Sequence, residues 1–486
     1  MKNKFISSIS LLVLLNMLIK PAYVFIIEPA VQNRVGNIDY GFYFSLFGFS
    51  FIFNTILDLG VTHFNNRDIA RHPQLLTRYF NRIIALKLVL SGIYVIMLLG
   101  IGWIAGYSSE QFRLLFIILI NQILASITLY LRSNITALHL FKTDSALSVA
   151  DKILMIGICA TMLWTDLFGE FTVYHFVFAQ TASYLVTAIL AFTIVIFKLE
   201  RFSIAFDVDY FTIFLRKSFP FALMIFLMAS YKWFDSFIIE RILPGHQGKE
   251  QAGIYAQSFR LLDGVTQFSY LFSIVLLPMF SRMIKENQAV FRLVKVASLI
   301  LIIPVLILSL TTAFFRQEII ELFYHTDHLH SSTILGILIL SFPFISSNYV
   351  FGTLLTANGS LSTLNKLAAT ALAINIALNL ILIPKFNAVG CALASLTTQF
   401  FMAITQYAFA RKYFNIKLNI PVLVKSFFLI VFIVGLGSFN HSVPLSWPIQ
   451  YLGIMFLSVV LAFSMGLIRF KYFRQTFLNE SADNVG

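Results

Sequence analysis

The sequence predicts an all-α polytopic membrane protein with about 14 transmembrane helices, and three observations carry that prediction. The 486 residues are 58% hydrophobic and only 12% charged, with a mean hydropathy of +0.84, whereas a soluble chain of this size is about a quarter charged. Apolar runs of about 20 residues, enough to cross a bilayer, recur from end to end. β-Barrel strands would be about 10 residues long and strictly alternating, but these runs are longer and continuously apolar. No segment is long and polar enough to form a separate soluble domain.

In order, the expected spans are 5–31, 39–63, 83–107, 111–138, 146–169, 171–197, 217–242, 251–279, 290–315, 331–357, 364–384, 388–411, 420–440 and 447–470. The first follows MKNKF and superficially resembles a secretory signal. Its apolar run is longer than an h-region and no convincing small-x-small site follows, so it reads as an uncleaved helix. Turn chemistry and charge separate the spans: GNIDYG at 36–41, GYSSEQ at 106–111, the polar stretch 198–217, PGHQGKEQ at 244–251 and ANGSLSTLNK at 357–366. Cys159 and Cys391 both fall inside spans and read as small apolar fillers, not as a disulfide framework.

An even number of spans puts both termini on one side. With that side inside, the inner segments hold Arg67, Arg71, Arg78, Arg82, Lys142, Lys198, Arg201, Arg282, Lys285, Arg411, Lys412 and Lys417 among others. The outer loops hold only Arg34, Arg241, Lys249, Arg316 and Lys385, with Arg113 near a boundary. The positive-inside bias therefore places both termini in the cytoplasm. It also accounts for most of the net charge of +13 without invoking nucleic acid.

A repeat organises these spans. IKPAYVFIIEPA at 19–30 aligns with YKWFDSFIIERI at 231–242, matching Lys20 with Lys232 and Glu28 with Glu240. The same offset, 232 − 20 = 212, carries Gly41-Phe42-Tyr43 onto Gly253-Ile254-Tyr255. The unit is six helices, so both copies share one orientation, the parallel arrangement in which transporters build a cavity between two bundles. The expected organisation is a six-helix bundle at 1–197, a cytoplasmic linker at 198–216, a second bundle at 217–411, and two further helices with a tail at 412–486.

Ionisable groups inside spans are costly and usually face a partner or an aqueous cavity. They include Lys20, Glu28, Asp58, Arg132, Asp151, Lys152, Lys232, Asp235, Glu240, Arg260 and Asp263. Lys232 with Asp235, and Arg260 with Asp263, are three apart and share a helix face, which also suits structural ion pairs. The functional reading makes Lys20, Lys232 and Arg260 receptors for an anion such as phosphate. Glu28, Asp58, Asp235, Glu240 and Asp263 are candidates for ion coupling or charge pairing, since desolvation favours the protonated carboxyl. Pro21 and Pro29 remove backbone donors in the first span and predict a bend, either a hinge or fixed curvature. His325, Asp327, His328 and His330 form HTDHLH in an outer loop, a metal-like spacing without an evident scaffold, so no metal or other cofactor is expected. A phosphate-binding Gly-rich loop with its lysine is missing, as are hydrolase triads, so the chain does not read as an enzyme.

DLGVTHFNNRDIAR at 58–71 resembles the end of the second helix of Wzx-type polysaccharide flippases of the multidrug/oligosaccharidyl-lipid/polysaccharide exporter superfamily. The motif is carried by Asp58-Leu59-Gly60 and by Arg67-Asp68-Ile69-Ala70-Arg71, where Arg67 and Arg71 would mark a cytoplasmic gate. LLTANGSLSTLNK at 354–366 is similar as well, with Ser360 where relatives often carry lysine. The resemblance implies two six-helix bundles around a cleft, and transport of undecaprenyl-diphosphate-linked glycans to the outer leaflet of a bacterial inner membrane. It also implies a polysaccharide polymerase and other assembly proteins as partners. The alternatives are an ion-coupled multidrug antiporter of the same fold and a membrane-embedded glycan polymerase, ligase or acyltransferase.

Overall fold

The computed structural model describes residues 14–468 apart from 63–64, 67–68, 70–71, 166–168, 418 and 440–443. Every regular element among them is helical. We number the helices α1 (Leu14–Leu57), α2 (Leu76–Ile104), α3 (Ser109–Ala137), α4 (Phe141–Trp164), α5 (Val173–Ile196), α6 (Val208–Ile242) and α7 (Gly245–Lys285). They continue as α8 (Phe291–Phe314), α9 (Arg316–Phe323), α10 (His328–Ile339), α11 (Phe342–Ala357), α12 (Leu361–Phe414), α13 (Ile420–Ser438) and α14 (Trp447–Ser464).

Twelve continuous helical stretches among the described residues are long and apolar enough to cross a membrane. Two of them, α1 with 44 residues and α12 with 54, are long enough for two of the expected spans each and change direction inside at one non-helical residue. In α1 the bend is Gly36, at φ 83° and ψ 168°, a conformation that costs glycine little and L-residues much. In α12 it is Asn387, at φ 51° and ψ −136°, just after Pro384. The GNIDYG and Pro384–Asn387 breaks are thus single-residue kinks in continuous helices, not loops.

Three expected boundaries need correction. The second span does not run unbroken to residue 63. It tightens into a 3₁₀ turn at Phe53–Leu57 and breaks where Leu59 and Gly60 take φ of 45° and 81°. The tenth span is two helices, α10 and α11, meeting at Leu340 and Ser341, with Pro343 in the first turn of α11. The segment expected as an outer loop at 316–330 contains the short amphipathic helix α9.

The first span's prolines produce a widened turn. Tyr23–Ile27 is a π-turn in which the Glu28 backbone N–H donates to the Tyr23 carbonyl, and Pro29 enters the next turn without an amide hydrogen. A π-turn relieves the clash a proline ring makes with the carbonyl four residues back.

The chain divides into two compact units, Met1–Ala256 and Gln257–Gly486, with the division inside α7. In the first, α3 packs on α5 and α1, α1 packs on α6, and α4 packs on α5. Its core runs through Phe80, Ile83, Leu86, Leu90, Tyr130 and Leu131. In the second, α12 packs on α10 and α11, while α8 supports α11, α13 and α14. Ile303, Ile307, Leu429, Ile433 and Ile454 form the core that docks α13 and α14 onto α8. Exposed Trp103, Ile104, Phe197 and Phe456 are the apolar exterior a bilayer would cover.

Candidate functional site

Charged side chains of α1, α3 and α4 converge inside the first unit. Glu28 follows directly on the π-turn, is buried, and accepts a hydrogen bond from the Tyr40 hydroxyl. Lys152 of α4 lies 4.6 Å from the Tyr23 ring centroid and 5.3 Å from that of Tyr184. Its Nζ is 3.4 Å from Asp151 Oδ2 and donates to the Tyr184 hydroxyl at 3.4 Å. Two tyrosine faces around one ammonium form a cation–π cage, which is stronger away from water. Glu28 is also within electrostatic reach of Lys152.

Lys20, one turn before the π-turn, lies within electrostatic reach of Asp151, Lys152 and Arg132. Arg132 of α3 is itself paired with Asp144 of α4, Nε to Oδ1 at 2.8 Å. Three cations, Lys20, Arg132 and Lys152, are thus set among three carboxylates, Glu28, Asp144 and Asp151. The sequence marked most of these as intramembrane charges but gave no role to Lys152 or Arg132.

Asp58 sits at the helix break. Lys87 Nζ of α2 is 2.6 Å from Asp58 Oδ1 and also donates to the Leu57 carbonyl at 3.0 Å and Ser126 Oγ at 2.9 Å. The Thr62 hydroxyl donates to the same carboxylate. Lys87 is only 1% exposed and spends its protons on the end of a helix that has stopped making its own hydrogen bonds. The sequence reading passes over Lys87, although a lone lysine in ALKLVL (85–90) was the signal that could have found it.

The repeat-related residues take different partners. Lys232 lies 5.5 Å from the Trp233 ring centroid, and the buried Asp235 accepts a 2.9 Å hydrogen bond from the Tyr255 hydroxyl. Glu240 accepts from Gln111 Nε2 at 3.0 Å, and its other oxygen is 3.6 Å from Arg241 Nε. Arg241 stacks 4.3 Å from the Tyr107 ring centroid. Burial pushes the Tyr107 phenol above its usual range, so the guanidinium faces a neutral ring.

In the second unit, Arg260 of α7 is buried. Asp263, one turn further on, is within electrostatic reach of Tyr349 of α11. Tyr349 meets the Tyr270 ring edge-on at 6.1 Å. Arg67 and Arg71 lie outside the described residues. His328 of the HTDHLH segment bonds the Tyr324 carbonyl through Nε2 at 2.9 Å. Among the described residues, no group of three or more His, Cys, Asp or Glu could hold a metal.

A reciprocal backbone contact links residues separated by the offset of the expected repeat. A Cβ placed on Gly41 would fall 1.9 Å from the Lys249 carbonyl oxygen, and one placed on Gly253 would fall 2.0 Å from that of Asn37. Asn37 and Lys249 are also 212 residues apart, like Gly41 and Gly253. Each copy's glycine therefore receives the other copy's carbonyl, as a pseudo-two-fold axis between α1 and the start of α7 requires. Gln32 Nε2 extends the contact by donating to the Gly253 carbonyl at 2.8 Å.

Among solved structures, the fold is similar to that of the lipid II flippase MurJ in an inward closed conformation. The TM-score is 0.69 at 14% identity, covering 94% of this chain and 97% of that one. It is also similar to a Vibrio cholerae MATE transporter (TM-score 0.59, 14% identity, 85% and 98% covered). A MOP-superfamily transporter from Pyrococcus furiosus compares at a TM-score of 0.53 and 13% identity, with 84% and 93% covered. No curated protein matches the sequence. The family described as polysaccharide biosynthesis protein matches residues 4–284, more than half of the chain and all of the charge network of the first unit. By that match this chain is a member of the polysaccharide biosynthesis protein family.

Proposed function

We propose that this protein is a flippase that carries an undecaprenyl-diphosphate-linked oligosaccharide from the inner to the outer leaflet of the bacterial inner membrane by alternating access. The observation that carries the reading is a membrane-embedded network of cations and carboxylates in a member of a polysaccharide biosynthesis family. A diphosphate cannot cross about 30 Å of hydrocarbon unaided, and insertion scales charge a few kcal/mol for each buried ion. Lys20, Lys232 and Arg260 would meet the diphosphate in a hydrated cleft between bundles at 1–197 and 217–411. Glu28, Asp58, Asp235, Glu240 and Asp263 would take up protons or exchange partners as the anion arrives. Arg67 and Arg71 would serve a cytoplasmic gate, the helices at 412–486 would complete the fold, and a polysaccharide polymerase would receive the product.

On the orientation read from the lysine and arginine bias, the Gly41–Gly253 contact lies toward the outer face. In alternating access it would part when the outer side opens. The test is leaflet exchange in vesicles containing the purified protein and a fluorescent polyprenyl-diphosphate-linked oligosaccharide. A membrane-impermeant quencher should reach the inner-leaflet pool only when the protein is present. Protection equal to that in protein-free vesicles refutes the reading, and protein-dependent efflux of cationic drugs instead would favour the antiporter.

A further inference from the structure

The second unit holds a cavity of about 360 Å³ where α8, α11, the second limb of α12 and the start of α13 meet. That size falls in the range of small-ligand pockets. Its walls are apolar, with Phe291, Phe344, Phe351 and Leu423 among them. The Phe351 ring is braced edge-on by Tyr407 at 5.2 Å. Two lysines, Lys295 of α8 and Lys417 before α13, also line the cavity. Ser298 lies between the two chemistries on α8, its hydroxyl buried with no hydrogen-bond partner among the described residues.

The surrounding sequence offers these lysines no carboxylate. Between Asp327 and Glu480 there is no aspartate or glutamate at all, and none between Glu286 and Glu318. Both lysines fall in those stretches. The cation within α13, Lys425, is engaged with the Met465 carbonyl at 2.6 Å. On the orientation read from the charge bias, the start of α8 and the end of α12 lie at the cytoplasmic face. A basic rim over an apolar pocket at that depth has the chemistry of an anionic lipid headgroup above its acyl chain.

We propose that this cavity is a binding site for an anionic phospholipid of the cytoplasmic leaflet. The acyl chain lies against Phe291, Phe344, Phe351 and Leu423, and the phosphate meets Lys295 and Lys417. The site is independent of the translocation reading, because it involves none of the residues assigned to the transported glycan.

The experiment uses the full chain, purified in a neutral detergent, with bound lipids counted by native mass spectrometry. Dioleoyl phosphatidylglycerol should bind about thirtyfold more tightly than dioleoyl phosphatidylcholine, the increment that two interfacial lysines supply. The Lys295→Ala/Lys417→Ala variant should lose that preference. The control variant Lys142→Ala/Lys198→Ala should keep it, and Ala403→Trp, which fills the cavity, should lose binding of both lipids. Equal affinity for the two lipids overturns the proposal. So does an equal loss in the control variant, which would reduce the effect to diffuse attraction. Displacement of the bound phosphatidylglycerol by equimolar polyprenyl diphosphate also overturns it and assigns the cavity to the transported substrate.

Discussion

Replacing Gly41 by alanine puts the reciprocal glycine contact to a quantitative test. The added Cβ would sit 1.9 Å from the Lys249 carbonyl oxygen, where ordinary contact begins at 3.4 Å. The two backbones must therefore part by roughly 1.5 Å. The obstacle is backbone, not the flexible end of a side chain, and overpacking of this kind costs about 1–3 kcal/mol. At about 1.4 kcal/mol per tenfold, the state with the contact closed should fall roughly 5- to 150-fold relative to one with it open. Gly253→Ala should do the same, because a Cβ there meets the Asn37 carbonyl at 2.0 Å.

The assay is the rate at which an impermeant thiol reagent labels Asn37→Cys from outside intact cells, since Asn37 is buried beside the contact. Both native cysteines are buried, which keeps the background low. Labelling should accelerate at least fivefold in Gly41→Ala and Gly253→Ala. It should not change in Gly92→Ala, where an added Cβ meets nothing within 4 Å. Unchanged labelling in both variants, with the protein inserted normally, would show that the contact does not govern access from outside. A large effect in one and none in the other would refute the symmetry.

Three further outcomes are expected. Lys87→Met leaves Asp58 without its ammonium partner and should destabilise the protein by about 3–5 kcal/mol; the double variant with Asp58→Asn should recover most of it, read from unfolding midpoints in detergent. Lys20→Ala and Lys232→Ala should each abolish surface glycan while the amount of inserted protein is unchanged, and normal glycan in the double variant would remove both lysines from the site. Lys425→Ala deletes the charged hydrogen bond to the Met465 carbonyl and should cost about 1.5–3 kcal/mol, seen as earlier proteolysis of the α13–α14 hairpin.

The helices were legible because a bilayer makes one rule dominate, namely that a crossing needs about 20 apolar residues. The exact joints were not, because in a bilayer a kink and a loop differ by only a few dihedrals. Gly36 and Asn387 each redirect a helix through one residue, and neither signals from sequence whether helical hydrogen bonding resumes at once. The Asp58-Leu59-Gly60 motif was readable as a family marker, but its physical role was hidden. Gly60 tolerates φ 81°, yet the carbonyl freed at Leu57 is satisfied by Lys87 from 30 residues away, and no local pattern predicts that partner.

The charges were found by depth in the spans, but their pairing was set by tertiary structure. Spacing suggests partners three residues apart on one helix, and beyond that reach Asp235 is bonded by Tyr255 of the next helix and Arg132 by Asp144 of the next. The consequence for transport follows from the balance around Lys20. With Arg132 and Lys152 offset by Glu28, Asp144 and Asp151, the network is close to neutral at rest, which is how a membrane protein keeps such groups in its interior. On the proposed function, an arriving diphosphate would not meet bare positive charge. It would have to displace carboxylates from their cations, so that binding of the anion would be an exchange of partners, and the Glu28–Tyr40 and Lys152–Asp151 contacts are where that exchange would begin.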